Sequence, residues 1–274
     1  MIMLQPVYDS HSHSHYSGDS RSHLDLMLQD ALDKGLSGVC VTDHFDVNHY
    51  PDGRASREAL RTMLSGICEY RERYRGRLSV GVGIELAQQE YDKALTAEIV
   101  SIYGEYDPDL LIGSMHRGAD ARDFSVLDFE TCDFEYLLGC YYQQLLETVR
   151  MDYLDILAHI TYPLRYAKRH GICIDVAAYD EITDEFLKTL IANGKGIEIN
   201  TSGIRQGHGE TFPPLNTVRR FRELGGEVIT VGSDSHTDMD LGADFDVAFE
   251  MLKQAGFRYY CWFERRKPVF IPLI

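Results

Sequence analysis

Residues 7–15 read Val-Tyr-Asp-Ser-His-Ser-His-Ser-His, a short apolar start followed by histidines at alternate positions. An open, doubly wound nucleotide-binding sheet carries a glycine-rich phosphate loop after its first strand. Here histidines stand in that place, so a closed barrel is the better reading of the topology around them. On an extended segment, residues two apart point to the same side. His11 and His13 can therefore reach one common point.

Working outward, short runs rich in β-branched residues alternate with longer helical patterns. The strand candidates are Val7–Asp9, Gly38–Thr42, Ser79–Ile84, Leu110–Gly113, Asp155–Ala158, Gly196–Ile199 and Glu227–Val231, with a late one at Tyr259–Phe263. Helices are expected between them, at Leu24–Lys34, Arg57–Arg75, Tyr91–Tyr103, Phe134–Met151, Ala178–Asn193, Leu215–Leu224 and Ala243–Ala255. Glycine stops several of these, as at Gly35, Gly194 and Gly225. Repeated strand–helix alternation implies parallel strands joined by crossover helices. With no second composition regime and no Pro-, Gly- or Ser-rich linker, residues 1–274 are expected to form one α/β domain, a distorted (β/α)7 TIM-like barrel.

Composition is that of an ordinary soluble globular protein with a sizeable core: 44% hydrophobic and 26% charged residues over 274 positions. The net charge of −16 (27 Lys+Arg against 43 Asp+Glu) opposes a phosphate backbone, so no nucleic-acid partner is expected. The N-terminal segment has neither the basic start nor the apolar stretch of a secretory leader, and no run suits a membrane span. The six cysteines form no CxxC pair and read as small buried hydrophobes in a reduced, cytoplasmic protein.

Laying the polar residues on the strand map gives a pattern. His11 and His13 follow the first strand, Asp43 and His44 the second. Glu85 ends the third, His116 follows the fourth and His159 ends the fifth. Glu198 and Asn200 end the sixth, and Asp234 and His236 follow the seventh. In a parallel barrel all of these reach the C-terminal face, where active sites are assembled. Imidazole and carboxylate are the donors that zinc, iron or manganese prefers. Glu85, with two oxygens, can serve two ions. The donor number suits two to three divalent ions rather than one. A solitary histidine is more often an ordinary hydrogen-bonded residue, and His23, His49, His170 and His208 are read that way.

The set His11-x-His13, Thr42-Asp43-His44, Glu85, His116, His159 and Ser233-Asp234-Ser235-His236 resembles the PHP (polymerase and histidinol phosphatase) superfamily, and within it the histidinol-phosphate phosphatase branch. The resemblance implies a trinuclear centre. His11, His13, Glu85 and Asp234 would hold one metal. Glu85 would bridge to a second with His116 and His159, and Asp19, His44 and His236 would hold a third. Asp19 stands where part of the superfamily has histidine. Arg165 and Arg205 resemble the phosphate-gripping arginines of these enzymes, and His15 is a further candidate for the substrate pocket. The implied reaction is hydrolysis of L-histidinol phosphate, in histidine biosynthesis, by a metal-bridging hydroxide. Glu85 then has a catalytic part, and Asp43, His236 or a metal-bound water protonates the leaving alcohol. The alternative is another small phosphate ester or a nucleotide. The expected partner is a small phosphorylated substrate; the sequence does not speak to oligomeric state.

Overall fold

The computed structural model describes residues 5–48, 56–118 and 122–274. Eight strands form one parallel sheet: β1 (Tyr8–Ser12), β2 (Gly38–Val41), β3 (His44–Asp46), β4 (Ser79–Ala87), β5 (Leu110–Ser114), β6 (Ile156–Leu157), β7 (Gly196–Asn200) and β8 (Ile229–Gly232). The order is β1-β2-β4-β5-β6-β7-β8. β3 also pairs with β4, in the register His44 to Glu85, so β2 and β3 are one stave interrupted at Thr42-Asp43. The ring closes where the chain after β8 returns to β1. There Asp234 N donates to His11 O at 2.8 Å and His13 N to Ser235 O at 2.8 Å. The expected (β/α)7 barrel is observed.

Closure explains the sequence pattern of the strands. One face of each stave looks into the barrel and the other meets a helix, so β2, β5, β7 and β8 are buried along their whole length. The covering helices are α1 (Leu24–Asp33), α2 (Arg57–Tyr74), α3 (Lys93–Gly104), α4 (Phe134–Arg150), α6 (Asp180–Ala192), α8 (Leu215–Glu223) and α9 (Phe245–Gln254). Two short helices, α5 (Leu164–Arg169) and α7 (Ser202–Arg205), stand where loops were expected. α1 shows how the pattern works: Leu24, Met27, Leu28 and Ala31 recur at helical spacing and all are buried. Side-chain caps start α2, α3 and α4. Ser56 accepts from Ala59 N, Asp92 from Ala94 N and Leu95 N, and Asp133 from Tyr136 N.

The late strand, β9 (Tyr259–Glu264), is half of an antiparallel hairpin whose second half is β10 (Lys267–Pro272). The sequence pattern does not announce this second strand. The turn between them, Arg265-Arg266, has φ of 50° and 60°. Such turns usually carry Asn-Gly. Here the strain is offset by contacts: Arg265 N and Arg266 N donate to Asp109, and Arg266 forks onto Asp155 at 2.7 and 3.0 Å. Asp109 and Asp155 precede β5 and β6, so the hairpin turn seats against the end of the barrel opposite the site described next. Other boundaries move by a few residues. β1 runs on through His11, and β4 through Glu85 to Ala87. No helix among the described residues is long and apolar enough to cross a membrane.

Candidate metal centre

The C-terminal ends of the staves bring the expected donors together. Glu85, in β4 and fully buried, sits at the middle and divides its two oxygens. Oε1 lies 3.0 Å from His116 Nε2 and 2.8 Å from His159 Nε2. Oε2 lies 3.5 Å from His11 Nε2, 3.6 Å from His13 Nε2 and 2.6 Å from His44 Nδ1. Asp234 Oδ1 completes the His11–His13 group, 3.2 Å from His13 Nε2. A third group has His44 Nε2 and His236 Nε2 3.3 Å apart, with Asp19 Oδ2 at 3.6 and 3.4 Å from them.

Two observations test whether these groups suit metal ions. His11 Nε2 and His13 Nε2 face each other at 3.1 Å, with no polar hydrogen needed between them if both point at one ion. Two nitrogens about 2.1 Å from a shared ion stand about 3.0–3.4 Å apart. Glu85 Oε2 and His44 Nδ1 are also buried, with no other hydrogen-bond partner. Buried polar atoms are rarely left unsatisfied; at 2.6 Å these two pair with each other, and a cation beside Oε2, which faces His11 and His13 Nε2 at 3.5 and 3.6 Å, would complete its surroundings. The donor set therefore fits divalent ions. Two of the donor residues also have strained backbones, His159 at φ 25° and Asp234 at φ 52°, as is common where function dictates a conformation.

The electrostatics reinforce this. Burial alone would push His11 down, but Glu198, Glu85 and Asp234 hold it well above the usual imidazole value. Against the same burial, Glu85 and Asp19 raise His44, and Glu85 and Asp46 bring His116 up to about 10. His13 moves the other way. Its burial and the neighbouring His44 and His236 hold it neutral, as a ligand must be. Although burial opposes their charge, Glu85 and Asp234 are held well below the usual carboxylate range by the surrounding histidines. A cavity of about 1180 Å³ opens over these groups, lined among others by Arg165, Arg205, Tyr162, Arg117 and Asp123.

Comparison with known proteins agrees with this architecture. Residues 9–202 match the model of the PHP domain family. The chain belongs to the PHP family. A histidinol-phosphatase of Lactococcus lactis subsp. lactis is 27% identical over 266 residues, covering 94% of this chain and 95% of that protein. A protein of Clostridium acetobutylicum described as a probable histidinol-phosphatase is 29% identical over 264 residues, covering 95% and 98%. The crystal structure of the Lactococcus lactis histidinol phosphate phosphatase, complexed with zinc, L-histidinol and phosphate, superposes with a TM-score of 0.76. Its sequence identity is 23%, over 96% of this chain and 98% of that one.

In this PHP chain the two arginines reach the cavity. Arg165, on α5, lies over the rings of Tyr162 and Tyr166 and donates to Gln206 Oε1 and Tyr166 OH. Arg205, on α7, donates to the carbonyls of Ser233 and Asp234 and lies 3.4 Å from Asp240. Arg165 Nε and Arg205 Nη1 have no hydrogen-bond partner.

Two expectations are corrected. Asp43 does not line the cavity. It is fully buried and accepts from Ser14 N, Ser14 Oγ, Ser17 N and Ser17 Oγ at 2.6–3.1 Å. Those donors leave it a loop-organising residue, not a proton donor to substrate. His15 is exposed and lies against the Tyr16 ring at 4.3 Å, tilted to it, outside the cavity where it was expected. His236, by contrast, lines the cavity. His23, His170 and His208 lie outside the donor groups, each against another ring, and His49 lies outside the described residues.

Three residues were not assigned a role by sequence. Glu198 binds His11 Nδ1 at 2.7 Å, Asp46 lies 3.3 Å from His116 Nδ1, and Arg117 lines the cavity. Glu198 stood at a strand end, which was signal enough to note it. Arg117 follows His116 directly. Asp46 stands two residues after His44 on the same side of β3, a cue the sequence offered, but the β3–β4 and β4–β5 registers are needed to bring it to His116.

Proposed function

We propose that the chain is a metal-dependent phosphomonoesterase that hydrolyses L-histidinol phosphate to L-histidinol and phosphate. The observation that carries this is the shared Glu85: one buried carboxylate divided between donor groups, under a cavity that also holds two arginines. In this reading His11, His13, Glu85 and Asp234 hold one ion; Glu85, His116 and His159 a second; and Asp19, His44 and His236 a third. Divalent ions bound there, with zinc favoured by the Lactococcus lactis relative, would supply an acidified water and positive charge toward the phosphoryl oxygens.

The remaining work falls to the protein. Arg165 and Arg205 present guanidinium forks suited to phosphate oxygens and fix its orientation. Arg205 is tied to the backbone beside Asp234, and Arg165 is held between two tyrosines. Catalysis is then mainly positioning and electrostatic stabilisation. With Asp43 committed to the serines, and His236 facing the third site through Nε2 and the Asp234 carbonyl through Nδ1, the leaving alcohol would take its proton from water in the cavity. Asp46 and Asp123 also line the cavity. Their charge favours an alcohol carrying an ammonium and an imidazole, and opposes the further phosphates of a nucleotide.

The test is phosphate release by protein stripped and reloaded with zinc, manganese or iron. L-Histidinol phosphate is compared with p-nitrophenyl phosphate and a nucleoside monophosphate. Preference for the histidinol ester by at least about 100-fold in kcat/KM is expected. Equal or better turnover of the nucleotide would replace the substrate assignment, and inactivity with every metal would overturn the phosphatase reading itself.

A further inference from the structure

β7 supplies no histidine to the cluster, yet its end is fully buried beneath it. We infer that β7 and the start of α7 position the metal centre: Glu198, Asn200 and Ser202 aim donors that other strands carry. The inference rests on the reading of His11, His13, Glu85 and Asp234 as metal ligands.

Glu198 makes the first link. Its Oε1 sits 2.7 Å from His11 Nδ1, and both side chains are wholly buried. A carboxylate only accepts, so the hydrogen of His11 lies on Nδ1 and the lone pair on Nε2, toward His13, Glu85 and Asp234. The other oxygen, Oε2, accepts from His159 N at 3.2 Å and Asn200 Nδ2 at 3.0 Å. One carboxylate thus fixes the ring from β1 and the strained backbone of the donor after β6.

Asn200 and Ser202 extend the network to the chain after β8. Asn200 Nδ2 donates to Asp234 Oδ2 at 3.3 Å; Ser202 Oγ lies at the same distance but directs its one hydrogen to Asn200. Asp234 Oδ1 is left facing His13 Nε2 at 3.2 Å. Ser202 donates to Asn200 Oδ1, at 3.0 Å from its N–H and 2.6 Å from its hydroxyl, which orients the amide. The two oxygens of Asp234 are thereby sorted, one for the protein and one for the ion. Gly232 fits the same plan. A Cβ there would stand 2.2 Å from Glu198 Oε1 and 2.5 Å from His11 Cβ, so only glycine leaves room for the pair.

The experiment measures zinc affinity without substrate, by competition between the metal-stripped protein and a chromogenic chelator. Glu198→Gln keeps the shape but replaces one of two accepting oxygens, on which three donors converge, with a donor. Zinc binding is expected to weaken about 10- to 100-fold. Ser202→Ala, which removes only one hydroxyl, should weaken it about 2- to 10-fold. Glu223→Gln, on the exposed surface, controls for the lost charge and should leave affinity unchanged. Wild-type affinity in folded Glu198→Gln overturns the inference. If that variant does not fold, wild-type affinity in Ser202→Ala overturns it instead, as does an equal loss in the surface control. Because no substrate enters the measurement, failure to hydrolyse histidinol phosphate would not be mistaken for failure of this inference.

Discussion

Arg205 donates through Nη2 to the main-chain carbonyl of Asp234 at 2.8 Å, so a cavity arginine and a proposed metal ligand share one support. Anchoring one side fixes the guanidinium at the cavity wall, and its buried Nη1 has no protein partner. Lysine would keep the charge but not the fork. Arg205→Lys should therefore raise KM and lower kcat/KM by about 10- to 100-fold, as expected for one charge-assisted hydrogen bond. Inhibition by inorganic phosphate should weaken in parallel. If phosphate inhibits the variant as strongly as the wild type, Arg205 does not hold the phosphate.

The division of Glu85 between His159 and His44 gives a sharper test. Glutamine offers one acceptor and one donor where two acceptors are needed, and it brings no charge. Glu85→Gln should lose bound metal, measured by inductively coupled plasma mass spectrometry. Activity should fall by at least about 1,000-fold, since several kcal/mol of charge stabilisation go with it. A variant that kept both its metal and its turnover would remove Glu85 from the centre.

Protonation sets the pH behaviour of the metal-free protein. Despite burial, neighbouring carboxylates raise His11, His44 and His116, the last up to about 10. A raised folded-state value adds stability that is complete below the unfolded value of about 6.5 and lost as pH rises through the folded value. Glu85 and Asp234 are depressed, so their contribution is present above about pH 4 and lost only at lower pH. In the presence of chelator, the melting midpoint should fall between about pH 6.5 and about pH 10. Zinc must displace those protons, so loading at neutral pH should release protons, read with an indicator in weak buffer. A midpoint that is flat or rising with pH in chelator would contradict this account.

The cluster of histidines and carboxylates was legible in the sequence because these residue types recur at the ends of apolar runs, and a parallel barrel sends all such ends to one face. What the sequence hid is tertiary. Asp43 precedes His44, but adjacent residues of an extended chain point to opposite sides, so the neighbour of a donor faces Ser14 and Ser17 instead. The alternation that aims His11 and His13 stops at His15, where the chain turns. Glu198 was visible at a strand end, yet only the structure shows its oxygens spent on His11 and His159 rather than on an ion. β10 escaped notice because Pro268 and Pro272 argue against a strand and Arg265-Arg266 is not a usual hairpin turn.

That hairpin turn carries a prediction about stability alone. The side chain of Asp155 is 4% exposed and that of Arg266 27%, so the ion pair is shielded but not fully buried. Arg266→Ala would leave Asp155 with Leu111 N at 2.8 Å and the more distant Lys195 at 3.8 Å. It would also free the turn, whose positive φ values have no glycine to ease them. Discounted for partial exposure, the loss should be about 2–3 kcal/mol. In a chain of this size that lowers the melting midpoint by roughly 4–12 °C. Because the turn lies at the end of the barrel opposite Glu85, KM and zinc affinity should stay within about twofold of wild type. A midpoint unchanged from wild type would mean the hairpin is not locked through Asp155. A change in KM with the midpoint intact would mean the two ends of the barrel are coupled.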